Sequence, residues 1–75
     1  MNISEIKEKM NTKLPNDELS IHAITKHGDV FVGWLEFPDG ETYDETIVYH
    51  SDKGIFEKLH FTTALLTYGE PEETY

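Results

Sequence analysis

The sequence contains no cysteine, which excludes disulfides and thiolate zinc sites. It also contains no arginine: all six basic side chains are lysines. Bidentate recognition of phosphate or guanine therefore lacks its usual side chain. Long hydrophobic runs are missing as well. No stretch is suited to spanning a bilayer, and the opening MNISEIKEK has no apolar segment of the signal-peptide kind. A cytoplasmic protein with no membrane partner is expected.

What the chain has in abundance is acid. Fifteen Asp and Glu residues oppose the six lysines, for a formal net charge of −9. The mean field repels nucleic acid at long range, so any nucleic-acid contact needs a local site of lysine, aromatic and backbone groups. A basic protein surface is the easier partner to envisage. Seventy-five residues make one domain. A domain this small buries only about 60% of its unfolded surface. With disulfides excluded, association between copies is the expected reinforcement.

Asn2, with Glu5 three residues on, has the form of a capping box, and Ile3, Ile6 and Met10 then share one stripe. This predicts a helix over 3–12, ended by Pro15 and the polar run Asn16-Asp17-Glu18. Three turn signals follow. Gly28 sits in KHGD, Pro38-Asp39-Gly40 fits a type I turn with a left-handed glycine, and Asp52-Lys53-Gly54 repeats that grammar. The segments between are rich in β-branched and aromatic residues. They predict antiparallel strands at about 19–26, 29–37, 41–50 and 55–62, with a short fifth at 64–67. An alternative reading makes 51–69 a single helix, with Ser51 as cap and Gly69 as stop. The domain then spans 1–68, and 69–75 form an acidic tail.

Alternation orients the second strand. Phe31, Leu35 and Phe37 share one face, with Gly33 between them, while Val30, Val32 and Trp34 occupy the other. Both faces are apolar, so both should be covered. Gly33 in mid-strand suits a bend or a close backbone approach. The fold class expected is mainly β: an N-terminal helix followed by a bent meander of four or five strands.

That plan resembles the Sm-like (Hfq/LSm) family. The motif-level likeness covers residues 21–39: Ile21, Ala23 and Thr25 alternate, then come Gly28, Phe31, Gly33, Leu35 and Asp39 at the family's spacing. A fainter echo lies at 58–65, where KLHFTTAL is similar to the lysine-histidine stretch of Hfq. Tyr43 stands where the family has asparagine, and Glu41 where it has a base-stacking aromatic. The resemblance implies a small barrel whose fourth strand pairs with the fifth of the next copy, giving a homo-oligomeric ring that binds single-stranded RNA or a small ligand. Tyr43, Lys58 and His60 are the residues that such a ligand would meet.

A second function reads from charge alone. Asp39, Glu41, Asp44 and Glu45 crowd the stretch EFPDGETYDET, which contains no base. They are either a solvated hairpin end or an acidic face that docks on a basic, nucleic-acid-binding protein surface. Asp44 and Glu45 should point to opposite sides of their strand. His22, His27, His50 and His60 show no metal-ligand spacing. Strict pairing across the third hairpin sets position 60 opposite roughly 45, away from His50. Paired carboxylates such as Glu36 and Glu41 flank a solvated turn, which offers no means of separating their pKa values. No cysteine nucleophile and no phosphate-cradling glycine loop is present. Neither enzymatic activity, a cofactor nor a metal is expected.

Overall fold

The computed structural model describes residues 1–71. The chain begins with α1 (Ile3–Asn11). Its capping box forms as the sequence requires: the Glu5 backbone N–H donates to Asn2 Oδ1 at 2.9 Å, and the Asn2 N–H reaches Glu5 Oε1 at 3.5 Å. The helix ends one residue earlier than expected, with Thr12 as its cap.

Four strands follow: β1 (Ser20–His27), β2 (Val30–Glu36), β3 (Thr42–His50) and β4 (Ile55–His60). They form an antiparallel sheet in the order β1-β2-β3-β4. The turns are built where the glycines predicted them. In the last hairpin the Gly54 N–H donates to the His50 carbonyl at 2.8 Å, and Gly54 adopts φ +68°. Ser51 ties that turn to the first one, donating through both its N–H and its Oγ to the Asp29 carbonyl, at 2.8 and 2.7 Å.

Three expectations are corrected. Residues 64–67 are not a fifth strand but belong to α2 (Phe61–Tyr68). The single-helix alternative for 51–69 is corrected too, because β4 occupies its first half. Gly69 does stop the helix, at φ +88°, and its N–H donates to the Leu65 carbonyl at 2.8 Å. The third correction follows from the first. With a helix in place of the last strand, the sheet formed by the described residues is an open one with β1 and β4 as its edges, not a closed barrel. The strand bounds otherwise shift by one or two residues at their ends, where pairing is weakest. Of the expected acidic tail, 72–75 lie outside the described residues.

Both faces of the sheet are covered, each by one helix. On the first face Ile6 and Met10 of α1 pack with Ile24, Leu35, Ile47 and Tyr49. Gly33 makes this approach possible: a Cβ there would lie 2.7 Å from Met10 Sδ and 3.3 Å from the Ile47 carbonyl oxygen. On the second face Ala64 of α2 packs with Ala23, Val32, Trp34 and Val48. Trp34 is fully buried beneath that helix, with Phe61 edge-on at a ring separation of 5.8 Å. Its indole N–H would be costly to leave unpaired. It donates to Thr25 Oγ1 at 2.9 Å, and Thr25 Oγ1 in turn meets His27 Nε2 at 2.8 Å. Among the described residues no helix is long and apolar enough to cross a membrane.

Candidate functional sites at the acidic end and the β4 edge

The pairing registers bring one set of acids together. Ser20 pairs with Glu36, Glu36 with Thr42, and Glu45 with His60. One end of the sheet therefore gathers the start of β1, the end of β2, the start of β3 and the end of β4. Along it lie Asp17 and Glu18 just before β1, Glu36 closing β2, then Asp39, Glu41, Asp44 and Glu45. The segments 17–20 and 36–45 contain no lysine.

The hairpin bearing the last four acids is held by its own backbone. The Phe37 N–H donates to the Glu41 carbonyl at 2.8 Å, and the Gly40 N–H donates to the Phe37 carbonyl at 2.9 Å. Asp39 Oδ1 accepts the Glu41 N–H at 3.0 Å, so this carboxylate also stabilises the turn. Phe37 and Tyr43 pack edge to face at 5.6 Å beneath it. Asp39, Glu41 and Asp44 are exposed and Glu45 is half-buried. Alternation sends Glu45 to the α1 side, opposite His60, and Asp44 to the α2 side.

Tyr43, Lys58 and His60 share the α1 side of β3 and β4 by the same alternation. Their side chains are not equally free. Tyr43 is engaged by Phe37. His60 caps α2, its Nδ1 accepting the Thr62 N–H at 3.2 Å. Lys58 lines a groove of about 390 Å³ together with Lys13, Ile47, Phe56 and Glu57.

Of this groove the sequence pointed to Lys58 alone, and Lys13 and Phe56 are the most consequential of the members it missed. Lys13 leaves the end of α1 and sets its Nζ 5.0 Å from the centroid of the Phe56 ring. That ring stacks on Tyr49 at 4.4 Å. The alternation of β4 could have placed Phe56 beside Lys58, but nothing in the local pattern foretells where Lys13 docks. Glu57 is drawn to the other side of the strand, where its Oε1 lies 2.9 Å from His50 Nε2. Among the described residues no lysine lies within 4.0 Å of a carboxylate, since both ion pairs there involve histidine.

Strict pairing indeed keeps His50 and His60 apart, with His60 opposite Glu45 and His50 opposite Ile55. His22 sits at an irregularity of β1, between Ile21 and Ala23. Its Nδ1 is buried without a hydrogen-bond partner, 3.8 Å from Glu36 Oε2. No three His, Asp or Glu side chains among the described residues converge as metal ligands would. No protein-family model, curated protein or solved structure gives a match to this chain.

Proposed function

We propose that this chain is a non-catalytic interaction module whose acidic end docks on a basic, nucleic-acid-binding surface of a partner protein. The observation that carries this reading is the gathering of Asp17, Glu18, Glu36, Asp39, Glu41, Asp44 and Glu45 at one end of a rigid sheet, with no lysine among them. Surface charge of a single sign raises the association rate with an oppositely charged partner and suppresses wrong partners. The hairpin's internal hydrogen bonds fix the backbone that bears these acids, and the Asp39 carboxylate with it, which lowers the ordering cost of binding. A surface evolved for phosphates would meet carboxylates at strand spacing, about 4.8 Å between neighbouring strands.

The test is capture from lysate on immobilised chain, with the variant D39N/E41Q/D44N/E45Q alongside and duplex DNA as competitor. Captured proteins should be basic, should be released as salt rises, and should be displaced by the DNA. Capture that is unchanged by the four substitutions makes the acidic end a solvating surface and nothing more.

A second reading, a homo-oligomeric Sm-like ring that binds single-stranded RNA, is favoured by the common face of Tyr43, Lys58 and His60. Against it, α2 takes the position of the strand through which rings of that family close. Sedimentation across micromolar concentrations separates the two readings. A monomer throughout removes the ring, whereas an assembly that binds uridine-rich or adenine-rich RNA at low salt supports it.

A further inference from the structure

The two edges of the sheet are not alike. The pairing of β1 is interrupted between Ile21 and Ala23, and such irregularities blunt an edge against further pairing. The register of β4 runs without a break from Ile55 to His60, and among the described residues no strand lies on its other side. Ile55, Glu57, Lys58 and His60 are exposed, Ile55 to 48%. A straight, accessible edge is a template for one more strand, bound through backbone hydrogen bonds and selected through alternate side chains.

We propose that this edge takes an extended peptide of alternating acidic and apolar residues, with its acids on the α1 side. The charge pattern of β4 sets that choice. On the α1 side it presents Phe56 and Lys58, joined by Lys13 across the groove, and neither lysine is neutralised by a carboxylate among the described residues. On the α2 side it presents Ile55, Glu57 and Leu59, with the Glu57 carboxylate held by His50. Directly opposite residues on neighbouring strands share a side. A strand added here therefore meets cations on one side, and on the other apolar groups around a carboxylate. Acids suit the first and apolar residues the second.

A second copy of the chain fits this edge poorly. Two β4 strands related by a two-fold axis normal to the sheet must pair same side with same side. The two longest such registers put Glu57 opposite its own symmetry mate or Lys58 opposite its own, and like charges directly opposite destabilise a pair. This edge is thus disfavoured for self-pairing yet open to an acidic strand from a different protein. The surface is distinct from the acidic end, and the inference does not rest on the reading given there.

The probe is a capped hexapeptide alternating Glu and Val, titrated into ¹⁵N-labelled chain and followed by amide shifts and hydrogen exchange. Saturable shifts in β4 and at Lys13, with slowed exchange in β4, are the expected result. Lys13→Gln and Lys58→Gln should each weaken binding about fivefold, the loss of one solvent-exposed charge contact at close range. A Lys-Val peptide of equal length, and a Glu-Val peptide with alternate amides N-methylated, should bind at least tenfold more weakly. D39N/E41Q/D44N, which leaves Glu45 opposite β4 untouched, should leave the affinity within twofold, which keeps this result separate from that of the acidic end. The proposal is overturned by shifts absent at millimolar peptide, by affinity unchanged in K13Q/K58Q, by equal binding of the N-methylated peptide, or by sedimentation showing that the free chain dimerises through β4.

Discussion

The two faces of the sheet solve one packing problem in opposite ways. On the α1 face the sheet supplies the gap and the helix the bulk: Gly33 leaves a space that Met10 fills. On the α2 face the sheet supplies the bulk and the helix the gap, because Trp34 spreads beneath a helix whose one buried residue is Ala64. Both devices bring a helix close to the strands, and both satisfy the rule that facing layers alternate large and small. They differ in what they leave behind. The α1 face is sealed by apolar contacts alone at Met10. The α2 face has a polar handle, the indole N–H, which needs Thr25 to complete it. The second face should therefore be the more sensitive to substitution.

The largest expected effect is that of Trp34→Ala. It removes the fully buried ring, its edge contact with Phe61 and the bond to Thr25. Large aromatic truncations in cores cost about 3–5 kcal/mol. Against a total stability that for domains is typically about 5–15 kcal/mol, such a loss leaves a chain of this size near its unfolding threshold. Urea titration followed by far-ultraviolet circular dichroism should show the midpoint collapse. Met10→Ala, the counterpart on the other face, should cost less, within the about 2–5 kcal/mol found for aliphatic truncations. Equal losses from the two substitutions would remove the asymmetry.

Thr25→Val comes next, because it tests the polar handle without changing the volume. The valine leaves Trp34 Nε1 buried without its acceptor and also removes the partner of His27 Nε2. An unpaired buried donor costs about 1–3 kcal/mol. Trp34 is the chain's single tryptophan, so its fluorescence reports on the same site as the denaturation midpoint. A stability within a few tenths of a kcal/mol of the parent would mean that the indole bond is not what holds this face.

Gly33→Ala probes the α1 face. The new methyl meets Met10 Sδ at 2.7 Å and the Ile47 carbonyl oxygen at 3.3 Å. The methionine is flexible and can turn aside, whereas the carbonyl belongs to the paired backbone of β3. Overpacking of this kind costs about 1–3 kcal/mol, with the lower half of that range expected here because Met10 yields. In a double-mutant cycle, Met10→Ala should recover part of the loss, since the two groups are in contact. Strict additivity would show that Gly33 is selected for backbone reasons and not for Met10.

The same comparison explains how far the fold was legible. Asn2 with Glu5, and the glycines at 28, 40 and 54, are local signals with local physics, and they mark α1 and the three hairpins. The two-sided apolar pattern of 30–37 correctly required cover on both faces, but it does not name the cover. For the second face the answer was α2, which local pattern alone gives poor means of finding. It has eight residues, too few to be stable alone, and its stripe of Phe61, Ala64, Leu65 and Tyr68, which packs on the sheet, is blurred by an exposed Leu66. It also begins directly after β4, with no intervening loop. The candidate sites divide along the same line. The acidic end follows from turn positions and strand parity. The groove depends on Lys13 reaching Phe56, and the irregularity at His22 depends on how β1 meets β2; both are tertiary outcomes.

The smallest expected effect concerns that unannounced helix start. His60 ends β4 and caps α2 at once, its Nδ1 accepting the Thr62 N–H at 3.2 Å. His60→Ala removes one acceptor from an exposed helix terminus, and loss of a cap costs about 0.5–2 kcal/mol, the lower end applying to an exposed, long bond. His60→Asn should restore most of the loss, because asparagine is a preferred cap and its side-chain oxygen can accept the same N–H. Amide exchange at Thr62 and Thr63 should quicken in the alanine variant and return in the asparagine one, with β4 amides unaffected. If exchange instead rises along β4, then His60 acts through the strand, and the close junction between β4 and α2 is maintained by pairing with Glu45 and not by the cap.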